Sequence, residues 1–108
     1  MEPSFAHPVE RELAGIFDEL GILWEYEPHT FVLAYNPDGS VQRAFSPDFY
    51  LPEQDMYVEC TTMRQRLTSR KNRKIRALRA RGKLVTVLYR RDFERLREKY
   101  GFPFELAA

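Results

Sequence analysis

Two carboxylates in the middle of the chain have the spacing for shared chemistry. Asp48 and Glu59 stand on either side of the Pro52–Asp55 turn signal, in segments whose aromatic and β-branched residues read as strands. A hairpin centred near residues 53–54 sets them nearly opposite one another. Side chains alternate across a strand, so Met56, Val58 and Cys60 take one face while Tyr57, Glu59 and Thr61 take the other. Glu59 then lies mid-strand among apolar neighbours, where a carboxylate is costly without a partner. Like charges so close raise a pKa unless a cation lies between them. Hard oxygen ligands with retained waters are what Mg²⁺ prefers. The bland alternative is an edge-strand acid beside a turn aspartate.

Two helices bring further groups toward this pair. Pro8 suits a first helical turn, and Val9, Leu13, Ile16, Phe17 and Leu20 follow at helical spacing up to Gly21. Glu10 and Glu12 flank that apolar stripe on opposite sides, and Glu10 is the better placed to face a sheet. The segment from about Thr68 to Arg81 reads as a basic helix stopped by Gly82. Its apolar side is set by Ile75 and Leu78, and Lys71 falls between them in angle, one turn earlier. Lys71 there either snorkels to water or reaches a site over the sheet near Glu59 and Thr61.

The remaining elements follow from pattern. One strand, possible to break at Pro28, spans Trp24 to Tyr35, and Asn36-Pro37-Asp38-Gly39 turns the chain into a second strand from Val41 to Tyr50. A third covers Met56 to Thr62. The unalternated run Leu84-Val85-Thr86-Val87-Leu88 reads as a central strand buried on both faces. A last helix runs from about Asp92 to Lys99. The order α-β-β-β-α-β-α predicts an α/β domain with a mixed central sheet flanked by helices.

The run Ser46-Pro47-Asp48-Phe49-Tyr50-Leu51-Pro52, followed by Tyr57-Val58-Glu59-Cys60-Thr61, resembles the PD-(D/E)XK nuclease motif. The likeness covers about residues 5 to 90 and is nearest to the small resolvase-like, mismatch-repair and transposase-type endonucleases. It implies a restriction-endonuclease-like core and Mg²⁺-dependent hydrolysis of phosphodiester bonds, with Mn²⁺ as a substitute ion. Carried across, Asp48 and Glu59 become metal ligands, Glu10 the helix carboxylate, and the Cys60 backbone carbonyl a further ligand. Thr61 stands where the motif has lysine. Family members can supply that cation from the next helix, which points to Lys71 first and Lys74 second, with Gln65 as another group able to contact the site. Without such a lysine, the same fold would be a nucleic-acid-binding or assembly subunit that does not cut. The resemblance implies DNA as the first-choice partner, and a homodimer or a larger repair or recombination assembly as its setting.

Charge is divided unevenly along the chain. Residues 1–63 carry a net −10, residues 64–99 a net +12, and the whole chain +1. A basic face of this density is an electrostatic footprint for phosphate, with Arg64, Arg66, Arg70, Arg73 and Lys74 as the expected contacts. A solvated helix surface, or a basic helix meeting an acidic protein, is the other reading. At 108 residues the chain is expected to form one domain, with roughly 60–65% of its unfolded surface buried. Its single cysteine, Cys60, excludes an internal disulfide framework and a cysteine-rich zinc site and suits a reducing cytoplasm. His7 and His29 lack spaced partners for a histidine-held metal. No apolar run approaches the roughly 18 residues of a membrane span, and no leader pattern opens the chain.

Overall fold

The computed structural model describes residues 4–61 and 69–100. The elements run α1 (Pro8–Glu19), β1 (Glu25–Tyr26), β2 (Phe31–Tyr35), β3 (Val41–Phe45), β4 (Phe49–Leu51), β5 (Met56–Cys60), α2 (Ser69–Ala80), β6 (Leu84–Leu88) and α3 (Arg90–Tyr100). Helix α1 starts where expected. His7 accepts the Val9 N–H on Nδ1 at 3.2 Å, and Pro8 occupies the first turn, where its missing N–H costs nothing. It ends at Gly21, whose φ of +70° lets the Ile22 N–H return to the Phe17 carbonyl at 2.8 Å. Helix α2 closes in the same manner at Gly82, with Lys83 N–H donating to the Leu78 carbonyl at 3.2 Å.

Two of the expected strands are each divided. The first is broken around Pro28 into β1 and β2, as its proline suggested. The second, expected to be continuous from Val41 to Tyr50, is interrupted at Ser46-Pro47, where Pro47 supplies no ladder N–H. As a result β3 pairs with β2 in a separate antiparallel ribbon, while β4 joins the main sheet of order β1-β4-β5-β6. In that sheet β1/β4 and β4/β5 are antiparallel and β5/β6 parallel, with α2 making the crossover that parallel strands need.

The expected central position of the Leu84–Leu88 run is not observed. β6 lies at the sheet edge, and Leu84 is 62% exposed. β5, flanked by β4 and β6, is the strand buried along most of its length. An apolar run reports burial of side chains but not how many strands pair with it. The β6 edge is partly capped by Arg79, whose Nη2 and Nε donate to the Val85 carbonyl at 2.6 and 3.2 Å.

The alternation expected on β5 sorts the core into two layers. Val58 and Cys60 pack with Leu13, Ala14, Phe17, Phe49 and Phe93 beneath α1 and α3. Tyr57 packs with Phe45, Ile75, Leu78 and Val85 beneath α2. Phe49 is fully buried, with the rings of Phe17, Trp24 and Tyr26 edge-on at 5.5–5.6 Å. No helix among the described residues is long and apolar enough to cross a membrane.

Candidate active site

The β4–β5 hairpin pairs Phe49 with Val58, which places Asp48 and Glu59 opposite each other one step along the ladder. The two residues are interlocked through their backbones. The Asp48 N–H donates to Glu59 Oε1 at 2.9 Å, and the Cys60 N–H donates to Asp48 Oδ2 at 2.8 Å. Glu59 lies on the α2 side of the sheet and is 3% exposed. There the Lys71 ammonium sits 2.6 Å from Glu59 Oε2 and donates to the Cys60 carbonyl at 3.1 Å. Lys71 thus reaches Glu59 over the sheet, with its side chain 32% exposed.

Burial, with Glu59 alongside and Glu10 beyond, pushes the Asp48 carboxyl up to about 8, against the opposing pull of the Cys60 N–H and Lys71. Burial also raises Glu59, although Lys71 and the Asp48 N–H draw it down. Among the described residues two buried carboxyls thus face the Lys71 ammonium, and Asp48 favours its protonated form at neutral pH. Burial and the nearby carboxylates push the Cys60 thiol upward, and its side chain lies in the α1–α3 core, so only its backbone belongs to the site.

Glu10 is buried on α1, as its angular position suggested, but its Oε1 accepts from the Tyr26 hydroxyl and from the Ala6 N–H. Its charge still reaches Asp48. Glu12 is buried too, and Arg97 of α3 clasps it with bonds of 2.7 and 2.9 Å. Thr61 is 3% exposed and extends the β5–β6 ladder, its N–H donating to the Leu88 carbonyl at 3.0 Å.

The donors assembled by Asp48, Glu59 and the Cys60 carbonyl are all oxygen, the set a hard divalent cation takes. Among the described residues no three Asp, Glu, His or Cys side chains gather around a single point. Two carboxylates and a backbone carbonyl are brought together, with Glu10 held on Tyr26 beside them.

Of the expected phosphate contacts, Arg70 and Arg73 are exposed on α2 and Lys74 is half-buried. Arg70, Lys71 and Lys74 line a cleft of about 280 Å³ with Phe45 as its apolar wall. Helix α2 carries no acidic residue, so this cleft is a concentrated cationic surface beside the carboxylates. Arg64, Arg66 and Gln65 lie outside the described residues. His29, on the sheet's far end, bonds the Tyr57 hydroxyl through Nδ1 at 2.7 Å and takes no part in the cluster.

Sequence reasoning passed over the Tyr26 hold on Glu10 and the Arg97 clasp on Glu12. Both join residues far apart in the chain, and nothing local marks either partner. Comparison of the chain with protein-family models, with curated proteins and with solved structures finds no match.

Proposed function

We propose that this protein is a metal-dependent nuclease of the PD-(D/E)XK type, with a restriction-endonuclease-like core, that hydrolyses phosphodiester bonds in nucleic acid, DNA first. The observation that carries the reading is the interlocked set of Asp48, Glu59, the Cys60 carbonyl and Lys71, set beside an α2 surface with no acidic residue. Structural ion pairs are common, but a buried carboxylate pair that exceeds its cation and adjoins a phosphate-attracting face is arranged for catalysis on phosphate.

When bound, Mg²⁺ supplies Lewis-acid polarisation of the phosphate and a water of lowered pKa. Asp48, Glu59 and the Cys60 carbonyl are the groups that would hold it, with Glu10 adding charge from α1. Lys71 shares Glu59 with that role, and its ammonium offsets negative charge building on the phosphate oxygens, in place of the lysine that Thr61 replaces. Arg70, Arg73 and Lys74 position the backbone without reading its sequence.

A second reading, a nucleic-acid-binding subunit that does not cut, draws on the closed Lys71–Glu59 pair, which partly neutralises the site without any metal. Incubation with labelled branched, linear and single-stranded nucleic acids in Mg²⁺, Mn²⁺ or EDTA separates the two. Metal-dependent cutting is the expected result. Salt-sensitive binding with no cutting of any substrate favours the second reading.

A further inference from the structure

A second cleft opens on the α1–α3 side of the same site. It has a volume of about 390 Å³ and is lined by His7, Val9, Thr61, Arg90 and Phe93. Two of these residues adjoin the carboxylate cluster in the chain: Val9 precedes Glu10, and Thr61 follows Cys60. Among the described residues that line the cleft there is no carboxylate.

We propose that this cleft is a nucleotide subsite, in which Arg90 and His7 bind a phosphate and Val9, backed by the buried Phe93, meets the apolar part of the nucleotide. The inference rests on nucleic acid being the substrate and deepens that reading. His7 accepts the Val9 N–H on Nδ1, which leaves Nε2 as the protonated, donating nitrogen of the neutral ring. Arg90 holds only a loose 3.7 Å pair with Glu94, and both side chains are more than half exposed. Such a pair is weak and screened, so the guanidinium can turn to a phosphate, which its forked donors match. Phe93 is a buried core residue, 2% exposed, and the half-buried Val9 packs against that core, so Val9 is held in place as the apolar floor of the cleft. A cationic rim over an apolar floor suits a phosphate joined to a flat, weakly polar ring.

The test is a titration of the ¹⁵N-labelled full chain, in EDTA so that no cutting occurs, with the thymidine dinucleotides TpT and 5′-phosphorylated pTpT and with inorganic phosphate. The expected result is movement of the Val9, Arg90 and Phe93 amide signals by a dinucleotide, with affinity reduced about tenfold or more in Arg90→Ala by loss of a charge-assisted bond. Equal effects of TpT and pTpT identify an internal phosphate as the ligand, and dependence on pTpT identifies a terminal one. Arg90→Ala places a strong helix former at the start of α3 and removes a cation from a helix N-terminus, so the fold is expected to persist. His7→Asn gives a second variant that keeps the cap of α1 while removing the imidazole. It is expected to weaken binding as well. Signal changes confined to α2, unchanged affinity in both variants, equal changes with inorganic phosphate alone, or equal competition by an acidic peptide would each overturn the proposal. Because no metal is present, loss of this subsite and loss of the nuclease reading are separable: dinucleotide binding here without cutting elsewhere removes only the latter.

Discussion

Lys71 and Glu59 are joined by a 2.6 Å ion pair in which the glutamate side chain is 4% exposed and the lysine 32%. The pair ties the start of α2 to the middle of the sheet and fixes where the half-buried Lys71 ammonium stands. Removing the lysine leaves a buried carboxylate without its partner. Lys71→Met is expected to cost about 1–3 kcal/mol of stability at pH 7, read by urea unfolding. The loss should shrink at pH 5, where Glu59 can take up a proton instead. The double variant Lys71→Met/Glu59→Gln should recover part of it. A loss independent of both pH and Glu59 would show that the pair is incidental.

The raised carboxyls set a second expectation. An acid whose folded pKa lies above its unfolded value binds more protons when folded, so stability falls as pH rises between the two values. For Asp48 that interval runs from the ordinary carboxylate range to about 8. Metal-free protein should therefore lose thermal stability from pH 5 to pH 8.5, and Asp48→Asn should flatten the slope. Divalent ions need ionised carboxylates, so added Mg²⁺ should raise the melting temperature more at pH 8.5 than at pH 6. An equal Mg²⁺ effect at both pH values, retained in Asp48→Asn, would place the ion elsewhere.

Much of this cluster is legible in the sequence. The turn between two strand-like segments gives the Asp48–Glu59 register, the period of two gives the face of Glu59, and the period of 3.6 brings Lys71 to the same side. Elements whose placement depends on distant partners are not legible. The break at Pro47 could be suspected from its missing N–H, but not that the two halves join different sheets. The edge position of β6 is hidden because its side chains are apolar for reasons unrelated to its neighbours. Helix geometry gives the inward position of Glu10, whereas its bond to Tyr26 depends on where β1 is laid down.

The α2 surface makes a claim about salt. Arg70, Arg73 and Lys74 have no acidic neighbour on their helix, so a phosphate contact by each releases counterions. Replacing any one with Gln should weaken nucleic-acid binding about equally across sequences and reduce the salt slope by about 1. Fluorescence anisotropy at several salt concentrations measures this. A sequence-dependent loss with an unchanged slope would assign these residues to base contacts instead.

The Glu12–Arg97 clasp fastens α3 to α1 beside the site. Glu12 is 2% exposed, and Arg97 meets both of its oxygens. Arg97→Ala should destabilise by about 1–3 kcal/mol by leaving the carboxylate unsatisfied. Glu12→Leu/Arg97→Leu should be closer to the parent, because well-packed apolar residues can replace a buried pair. Chemical unfolding of the three proteins decides it, and equal losses in both variants would show that packing of the arginine stem matters more than the charge.

The most direct measurement is a time course of strand scission in Mg²⁺ by the parent protein and by Asp48→Asn and Glu59→Gln, with binding of the same substrate followed in parallel. Cutting by the parent that is abolished in both variants, while substrate binding persists, is the predicted result. Cutting that survives both substitutions, or binding without cutting by the parent on every substrate, would contradict a nuclease site built on these two carboxylates.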